Sequence, residues 1–257
     1  MVRTRWALTT SLKDKTITLG LYKPARWLID NVVDRERLTA HATRLALYRE
    51  LLKPDALCYD VGANIGDYTK TLVCAAAKVI AIEPQPSCIR ELRARFRGDE
   101  RITIVPIALG AENGSSELFL RENRRNSSLI EKWNNREVIG SVTVPVKTLD
   151  EMIKAYGLPD YIKMDVEGFE LQVIRGLSKK IRLMSFEYHL SLLEDCAEKL
   201  ELVDLMSRFG RLQFNILPDG ARNFYWSEFA SLKKFVDTFP KKLGGDIPFG
   251  DVFMMTS

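Results

Sequence analysis

The period of the apolar positions changes along the chain. Over residues 24–53 (PARWLIDNVVDRERLTAHATRLALYRELLK) they recur at helical spacing and stop before Pro54. This predicts one or two helices packed on the domain, an N-terminal helical extension over residues 1–53. From Ala56 short apolar runs alternate with amphipathic segments: ALCYDV, YTKTLVCAAA, KVIAIE, SCIRELRARF, RITIVPIAL. That β-α-β-α-β order predicts a parallel, doubly wound sheet. A more polar stretch follows, with short strands expected over 116–120 and 142–146, and it reads as an insertion or a cover on the sheet. The alternation then resumes with YIKMDV (strand), FELQVIRGL (helix), IRLMSFEY (strand), LSLLEDCAEKLELVDLMSRF (helix), RLQFNIL (strand), a helix over about 227–238 and DVFMM (strand). The pattern gives seven principal strands in one α/β domain over residues 54–257, with no repeat and no low-complexity linker.

Composition narrows this picture. A chain of 257 residues, 46% of them apolar, can bury one sizeable core. The net charge of +4 is mild and gives no reason to expect nucleic acid as a partner. Cys58, Cys74, Cys88 and Cys196 are far apart and form no C-x-x-C pair. Neither a disulfide framework nor a zinc site is expected, and a reducing, cytoplasmic location is. No apolar run reaches 18 residues, and Lys13, Asp14 and Lys15 interrupt the N-terminal stretch, so neither a transmembrane segment nor a signal peptide is expected.

The chemistry starts at CYDVGANIGDYTKT, residues 58–71. In an open parallel sheet ligands bind beyond the carboxyl ends of the strands, and the first strand ends at Asp60 and Val61. Gly62 and Gly66 permit close backbone approach, and the helix that follows offers unpaired N–H groups at its positive end. A dinucleotide turn would read G-x-G-x-x-G, but Asn64 and Asp67 stand at the second and third glycine positions. No G-x-x-x-x-G-K-[ST] occurs either. What remains is D-x-G-x-x-x-G, with the acid ahead of the glycines. Glu83 closes the second strand, where a carboxylate can accept both hydroxyls of a ribose. A ligand with a ribose and little negative charge is implied, and S-adenosylmethionine fits, its sulfonium favoured by nearby acids. An ordinary strand-to-helix turn is the plainer alternative for the glycines alone.

The segments YDVGANIGDYT, VIAIEPQP, VPIALG, NSSLI, VPVKTLDEMI and YIKMDVEGFELQVIRGL, in that order, resemble the FkbM-type branch of class I S-adenosylmethionine-dependent methyltransferases. The likeness covers roughly residues 51–188, and TLDEMI followed closely by KMDVEGFE is its most specific part. The resemblance implies a Rossmann-like, seven-stranded, mostly parallel sheet with the last strand inserted antiparallel, and methyl transfer to oxygen on a sugar or natural product. It also implies that Asp60, Gly62, Asn64 and Gly66 form the turn for the cofactor's tail, that Glu83 is the ribose acid, and that Ala108 and Leu109 form the adenine edge.

Methyl transfer from a sulfonium asks the protein to align the acceptor and help remove its proton. Asp165, at the end of the fourth strand, is a candidate anchor or base, against a plain helix cap over Gly168 and Phe169. Glu167 at the same rim stands evenly between a functional acid and a stabilising one. His189 after the fifth strand is a candidate base, and Glu187 two residues earlier shares its strand face. His41 reads as a surface or packing residue. Two histidines argue against a histidine metal cluster, and no metal is expected, with a carboxylate-bound magnesium near Asp165 and Glu167 the less favoured alternative.

The polar stretch over 121–136, in a segment running to residue 137, carries Arg121, Arg124, Arg125, Lys132 and Arg136 against two acids. It is either a solvated loop or a lid. As a lid, Trp133 would stack on a sugar, the arginines would meet phosphate, and Ser127 and Ser128 would add hydrogen bonds. The acceptor expected on this reading is a small molecule or glycan, phosphorylated or lipid-linked. Two other function classes stay open: a nucleotide-sugar or dinucleotide oxidoreductase on a similar sheet, which the broken glycine pattern disfavours, and a non-catalytic cofactor-binding module.

Overall fold

The computed structural model describes residues 16–18, 20–24, 35–75, 78–123, 126–133, 137–189, 193–239 and 249–257. In chain order the elements are α1 (Arg35–Leu51), β1 (Leu57–Val61), α2 (Asp67–Cys74), β2 (Lys78–Ile82), α3 (Pro86–Arg95), β3 (Ile102–Val105), β4 (Ala108–Leu109), β5 (Gly114–Arg121) and β6 (Val138–Lys147). They continue with α4 (Leu149–Tyr156), β7 (Tyr161–Met164), α5 (Glu170–Arg175), β8 (Leu183–His189), α6 (Leu193–Ser207), β9 (Leu212–Pro218), β10 (Ala230–Ser231), α7 (Leu232–Thr238) and β11 (Phe249–Thr256).

The main sheet has the order β10-β9-β11-β8-β7-β1-β2-β3. All seven expected strands are in it, and β1, β2, β3, β7 and β8 pair in parallel. The last strand, β11, slots between β8 and β9 and runs antiparallel to both. The fold is Rossmann-like and doubly wound. The two-residue edge strand β10 makes the eighth strand and takes the start of what the sequence predicted as a helix, because Ser231 caps α7 by accepting from the Lys234 N–H. Central strands read as continuous apolar runs because both faces are covered: Tyr59, Val61, Ile162, Met164, Met184 and Phe186 are buried in one cluster, and Cys58, Val79, Tyr161 and Leu183 in another on the opposite face.

Three sequence readings change. The run RITIVPIAL breaks at Pro106, which has no N–H to donate, so β3 stays in the main sheet while β4 pairs with β6 in a second sheet of order β4-β6-β5. Helix α4 was not expected, although T-x-x-E announces it: the Thr148 hydroxyl accepts from the Glu151 N–H. The N-terminal segment, expected as an appendage, contributes to the core through α1. Tyr48 is fully buried, bonds the Tyr161 hydroxyl at 3.0 Å and packs on Phe253. His41 is a packing residue, with Nδ1 2.9 Å from the Thr71 hydroxyl. Cys58 and Cys88 are buried free thiols and Cys74 is an exposed one. Among the described residues no helix is long and apolar enough to cross a membrane.

One buried ion pair fixes the loop that leaves β7. Lys199 of α6 meets Glu170 of α5 at 2.6 Å with both side chains all but inaccessible, and the other Glu170 oxygen accepts the Val166 N–H. Replacing Lys199 by Met would leave a buried carboxylate without its cation. We expect urea unfolding of Lys199→Met to show a loss of about 3–5 kcal/mol, largely recovered when Glu170 is also made Leu. A loss under about 1 kcal/mol would mean the pair does not anchor this loop.

Candidate functional site

A cavity of about 550 Å³ opens at the carboxyl edge of the parallel strands. Each strand end delivers a wall: Gly62 to Ile65 after β1, Glu83 to Gln85 after β2, Ala108 and Leu109 in β4, Asp165 to Glu167 after β7, and Glu187 with His189 in β8. The antiparallel insertion of β11 adds Phe249, and the end of β9 adds Asp219. Leu118 of the second sheet and residues 126–129 close the far side, and Arg44 of α1 reaches in beside Tyr68.

The register explains how these groups meet. Val61 pairs with Met164, so Gly62 lies against Asp165, and a Cβ at residue 62 would fall 1.8 Å from the Asp165 carbonyl oxygen. Gly62 also has φ +80. Gly66 (φ +82) is needed for a different contact, because its missing Cβ is replaced by Phe96 and Leu92 of the α3 segment. The freedom of both glycines is thus spent on protein packing. The turn's N–H groups are spent as well. Those of Gly62 and Ala63 donate to the Ile82 carbonyl, Asn64 to Glu83, Ile65 to the Asn64 side chain, and Gly66 to the Ala63 carbonyl.

Glu83 is held by two backbone donors, the Asn64 N–H on Oε2 and the Gln85 N–H on Oε1, both at 2.8 Å. Each oxygen keeps a second acceptor direction, so the carboxylate is oriented and can still accept a diol. Burial pushes its pKa up to about 7, with those two N–H groups pulling the other way. Asp60 sits behind the wall and does not line the cavity. It accepts from the buried Thr69 hydroxyl, and burial raises it to about 6. Asp67 lines the cavity but is paired with Arg95 at 2.8 Å.

Opposite Glu83, single oxygens of Asp165, Glu167 and Glu187 all lie within 4.8 Å of one another. Burial, then the nearby Asp165 charge, raises Glu167 to about 8, against a hydrogen bond from the Trp133 indole. Glu187 rises to about 7 from burial and then Asp165, against the His189 contact at 3.0 Å and Lys163. Lys163, by contrast fully buried, lies 3.2 Å from Asp165 and 3.5 Å from Asp251. Burial alone would lower its pKa, but those carboxylates outweigh it and hold the ammonium charged. Asp165 does not cap the next helix, whose N-cap is Phe169. Three oxygens at this spacing could also hold a hard divalent cation, and nothing further among the described residues points to one.

Glu167 has φ +53, an uncommon conformation for its type, and the polar segment holds it there. Ser128 Oγ donates to the Glu167 carbonyl at 2.8 Å, and Trp133 Nε1 donates to its carboxylate at 3.0 Å. The Trp133 ring occupies the space a Cβ would take at Gly168, 2.2 Å away. Trp133 is therefore buried structure and not the sugar platform that a lid would need. Arg121 is buried too, its guanidinium donating to the carbonyls of Phe119, Asn126, Ile130, Glu131 and Trp133. Ser127 and Ser128 line the cavity as a lid reading expects, whereas Arg124, Arg125 and Arg136 lie outside the described residues.

The structure thus brings Gly62, Asn64, Glu83, Ala108, Leu109, Asp165, Glu187 and His189 to one cavity, with Asp60 and Gly66 behind it. Sequence reasoning passed over Arg44, Gln85, Lys163, Asp219 and Phe249. Only Lys163 left a signal, a cation inside the apolar strand YIKMDV that needs buried partners.

Comparison with known proteins adds the lineage: the Methyltransferase FkbM domain family matches residues 60–212. The chain belongs to that family. A curated relative, the hexuronic acid methyltransferase AglP of Haloferax volcanii, is 27% identical over 147 residues, 55% of this chain and 58% of the relative. The chain therefore matches little more than half of that relative's length. Solved structures with a similar chain path include the precorrin-6y C5,15-methyltransferase of Geobacter metallireducens GS-15 (TM-score 0.47, 11% identity, 85% of this chain and 88% of that one). Another is the Bacillus cereus O-methyltransferase in complex with SAH (TM-score 0.44, 13% identity, all of both chains). At TM-scores below 0.5 neither bears on the site.

The raised acids set a pH dependence. Glu167 and Glu187 have folded pKa values above their unfolded ones, so their contribution to stability is complete below about pH 4.5 and is lost as pH rises through about 7 to 8. We expect the melting temperature to fall between pH 6 and 9, and Glu167→Gln to flatten that fall. A Glu167→Gln profile parallel to the wild type would show that this acid is not buried among like charges.

Proposed function

We propose that this protein is an S-adenosylmethionine-dependent O-methyltransferase acting on a saccharide hydroxyl. The observation that carries the reading is Glu83, a carboxylate at the end of β2 oriented by two backbone N–H groups and facing an acid-rich cavity. Its free acceptor directions suit the ribose diol. Ala108, Leu109 and Leu118 give an apolar slot for adenine, and Asp165, Glu167 and Glu187 favour a cationic centre. The same carboxylates, with no glycine pattern for a pyrophosphate, disfavour a dinucleotide.

When bound, the cofactor supplies an electrophilic methyl group on a sulfonium. The chain's own residues align the acceptor and manage its proton. His189 Nε2 lies 3.0 Å from Glu187 Oε2, and its ring stacks on Phe249 at 6.0 Å, so the imidazole is fixed at the cavity wall. This pair takes the acceptor's proton, with Glu187 orienting the ring and stabilising its charged form. Asp165, paired with Lys163 at 3.2 Å, anchors the acceptor side. A saccharide acceptor is supported by the name of the AglP relative and by the polar rim of Asn123, Asn126, Ser127 and Ser128, which suits hydroxyls. Arg124 and Arg125 would meet a phosphate on such an acceptor. The site is proposed to work in the cytoplasm.

Two variants test the reading. Glu83→Ala should weaken S-adenosylmethionine binding by about 1.5–3 kcal/mol in calorimetry, the worth of charge-assisted hydrogen bonds, with the fold intact. Unchanged affinity would remove Glu83 as the ribose acid. His189→Ala should keep cofactor affinity and lower turnover on a methylated saccharide roughly 100-fold, scored by mass gain of one methyl. Wild-type turnover should rise with pH through about 7 as Glu187 sheds its proton. Full activity of His189→Ala across pH 6 to 9 would move the base elsewhere.

A further inference from the structure

Arg44 is unusual among the groups facing the cavity. It comes from α1, outside the segment that matches the family, and among the described residues it is the one lysine or arginine in the cavity wall. Its guanidinium carbon lies 4.7 Å from the centre of the Tyr68 ring. Its buried Nε has no hydrogen-bond partner, and among the described residues the guanidinium forms no ion pair. Lys163 lies 4.5 Å from the centre of the same ring but is satisfied by Asp165 and Asp251, and Tyr68 itself bonds Asp251. Arg44 is thus a permanently charged fork of donors, positioned by an aromatic ring and left with donors to give.

The turn after β1 sharpens what those donors are for. In a sheet of this kind the glycine turn and the helix after it would ordinarily receive an anion through backbone N–H groups. Here the five N–H groups from Gly62 to Gly66 are all bonded within the protein. The acids in the wall are Asp67, Glu83, Asp165, Glu167, Glu187 and Asp219, none of which would receive an anion. Among the described residues, Arg44 is the side-chain cation that an anionic group entering this cavity would meet.

Resting on the cofactor reading above, the geometry points to Arg44 as the residue that binds the α-carboxylate of the cofactor's amino-acid tail. A cofactor held with its ribose at Glu83 and its base at Ala108 and Leu109 would have Asn64, Tyr68 and Arg44 left in the same wall to hold its tail. The α-ammonium of the same tail is served by the surrounding acids, so the two charges of one amino acid sort to opposite partners. The guanidinium fork matches a carboxylate in a bidentate way that lysine cannot. The N-terminal helix thereby becomes part of the cofactor site.

The matched probes are S-adenosylmethionine and decarboxylated S-adenosylmethionine, which differ by the carboxylate alone. Calorimetry on the whole chain should show the wild type preferring the carboxylated form by at least about tenfold. Arg44→Ala should lose that preference by weakening S-adenosylmethionine alone, and Arg44→Lys should recover only part of it. Equal effects on both ligands, or none, in a variant with wild-type melting behaviour would overturn the assignment. So would an Arg44→Ala loss confined to the KM of an anionic acceptor. A wild type that binds neither probe would remove the cofactor reading and this assignment with it, whereas binding of both with Arg44 indifferent removes the assignment alone.

Discussion

The structure turns on a crowding of like charges. Parallel register sets Asp165 beside Gly62 on one side and next to Glu187 on the other, and the turn that follows brings in Glu167. Three half-buried carboxylates this close repel each other more than they would in open water. Lys163 is the buried cation beneath them, and protons on Glu167 and Glu187 absorb the rest. The site is thus a store of negative charge that a cationic ligand would draw out, and many features around it serve to keep the acids from moving apart.

Those restraints come from outside the parallel sheet. Ser128 and Trp133 hold Glu167 in its left-handed conformation, and both belong to a segment whose carbonyls converge on Arg121. Glu170, paired with Lys199, fixes the Val166 N–H from the other direction. On the far side α1 packs on α2 and supplies Arg44. The family segment provides Glu83 and the acid cluster, and the N-terminal helix and the polar segment add Arg44, Ser127 and Ser128 to the same cavity.

Much of this was legible in the sequence, for identifiable reasons. Buried strands read as mostly apolar runs, so all seven were visible, and strand ends locate a ligand edge, so Glu83, Asp165, Glu187 and His189 could be named from position. The antiparallel course of β11 carries no local mark and came from family likeness alone. Pro106 splits one apolar run between two sheets, and α4 announced itself only through its capping box. The polar segment was ambiguous because a buried arginine and a buried tryptophan look like any solvated loop in sequence. Their burial depends on a glycine at residue 168 and on carbonyls up to a dozen residues away. Arg44 sits in a helix whose apolar spacing says only that it packs.

The most direct test is which ligand the cavity selects. Calorimetric titration of the wild-type chain at pH 7.5 with S-adenosylmethionine, S-adenosylhomocysteine, NAD and a UDP-sugar compares a sulfonium, its neutral counterpart and two pyrophosphates in one site. A cavity lined by Glu83 and the Asp165, Glu167 and Glu187 cluster should bind both adenosyl ligands at a single competing site and give no binding with NAD or the UDP-sugar. Binding of either pyrophosphate with no response to S-adenosylmethionine would contradict the account.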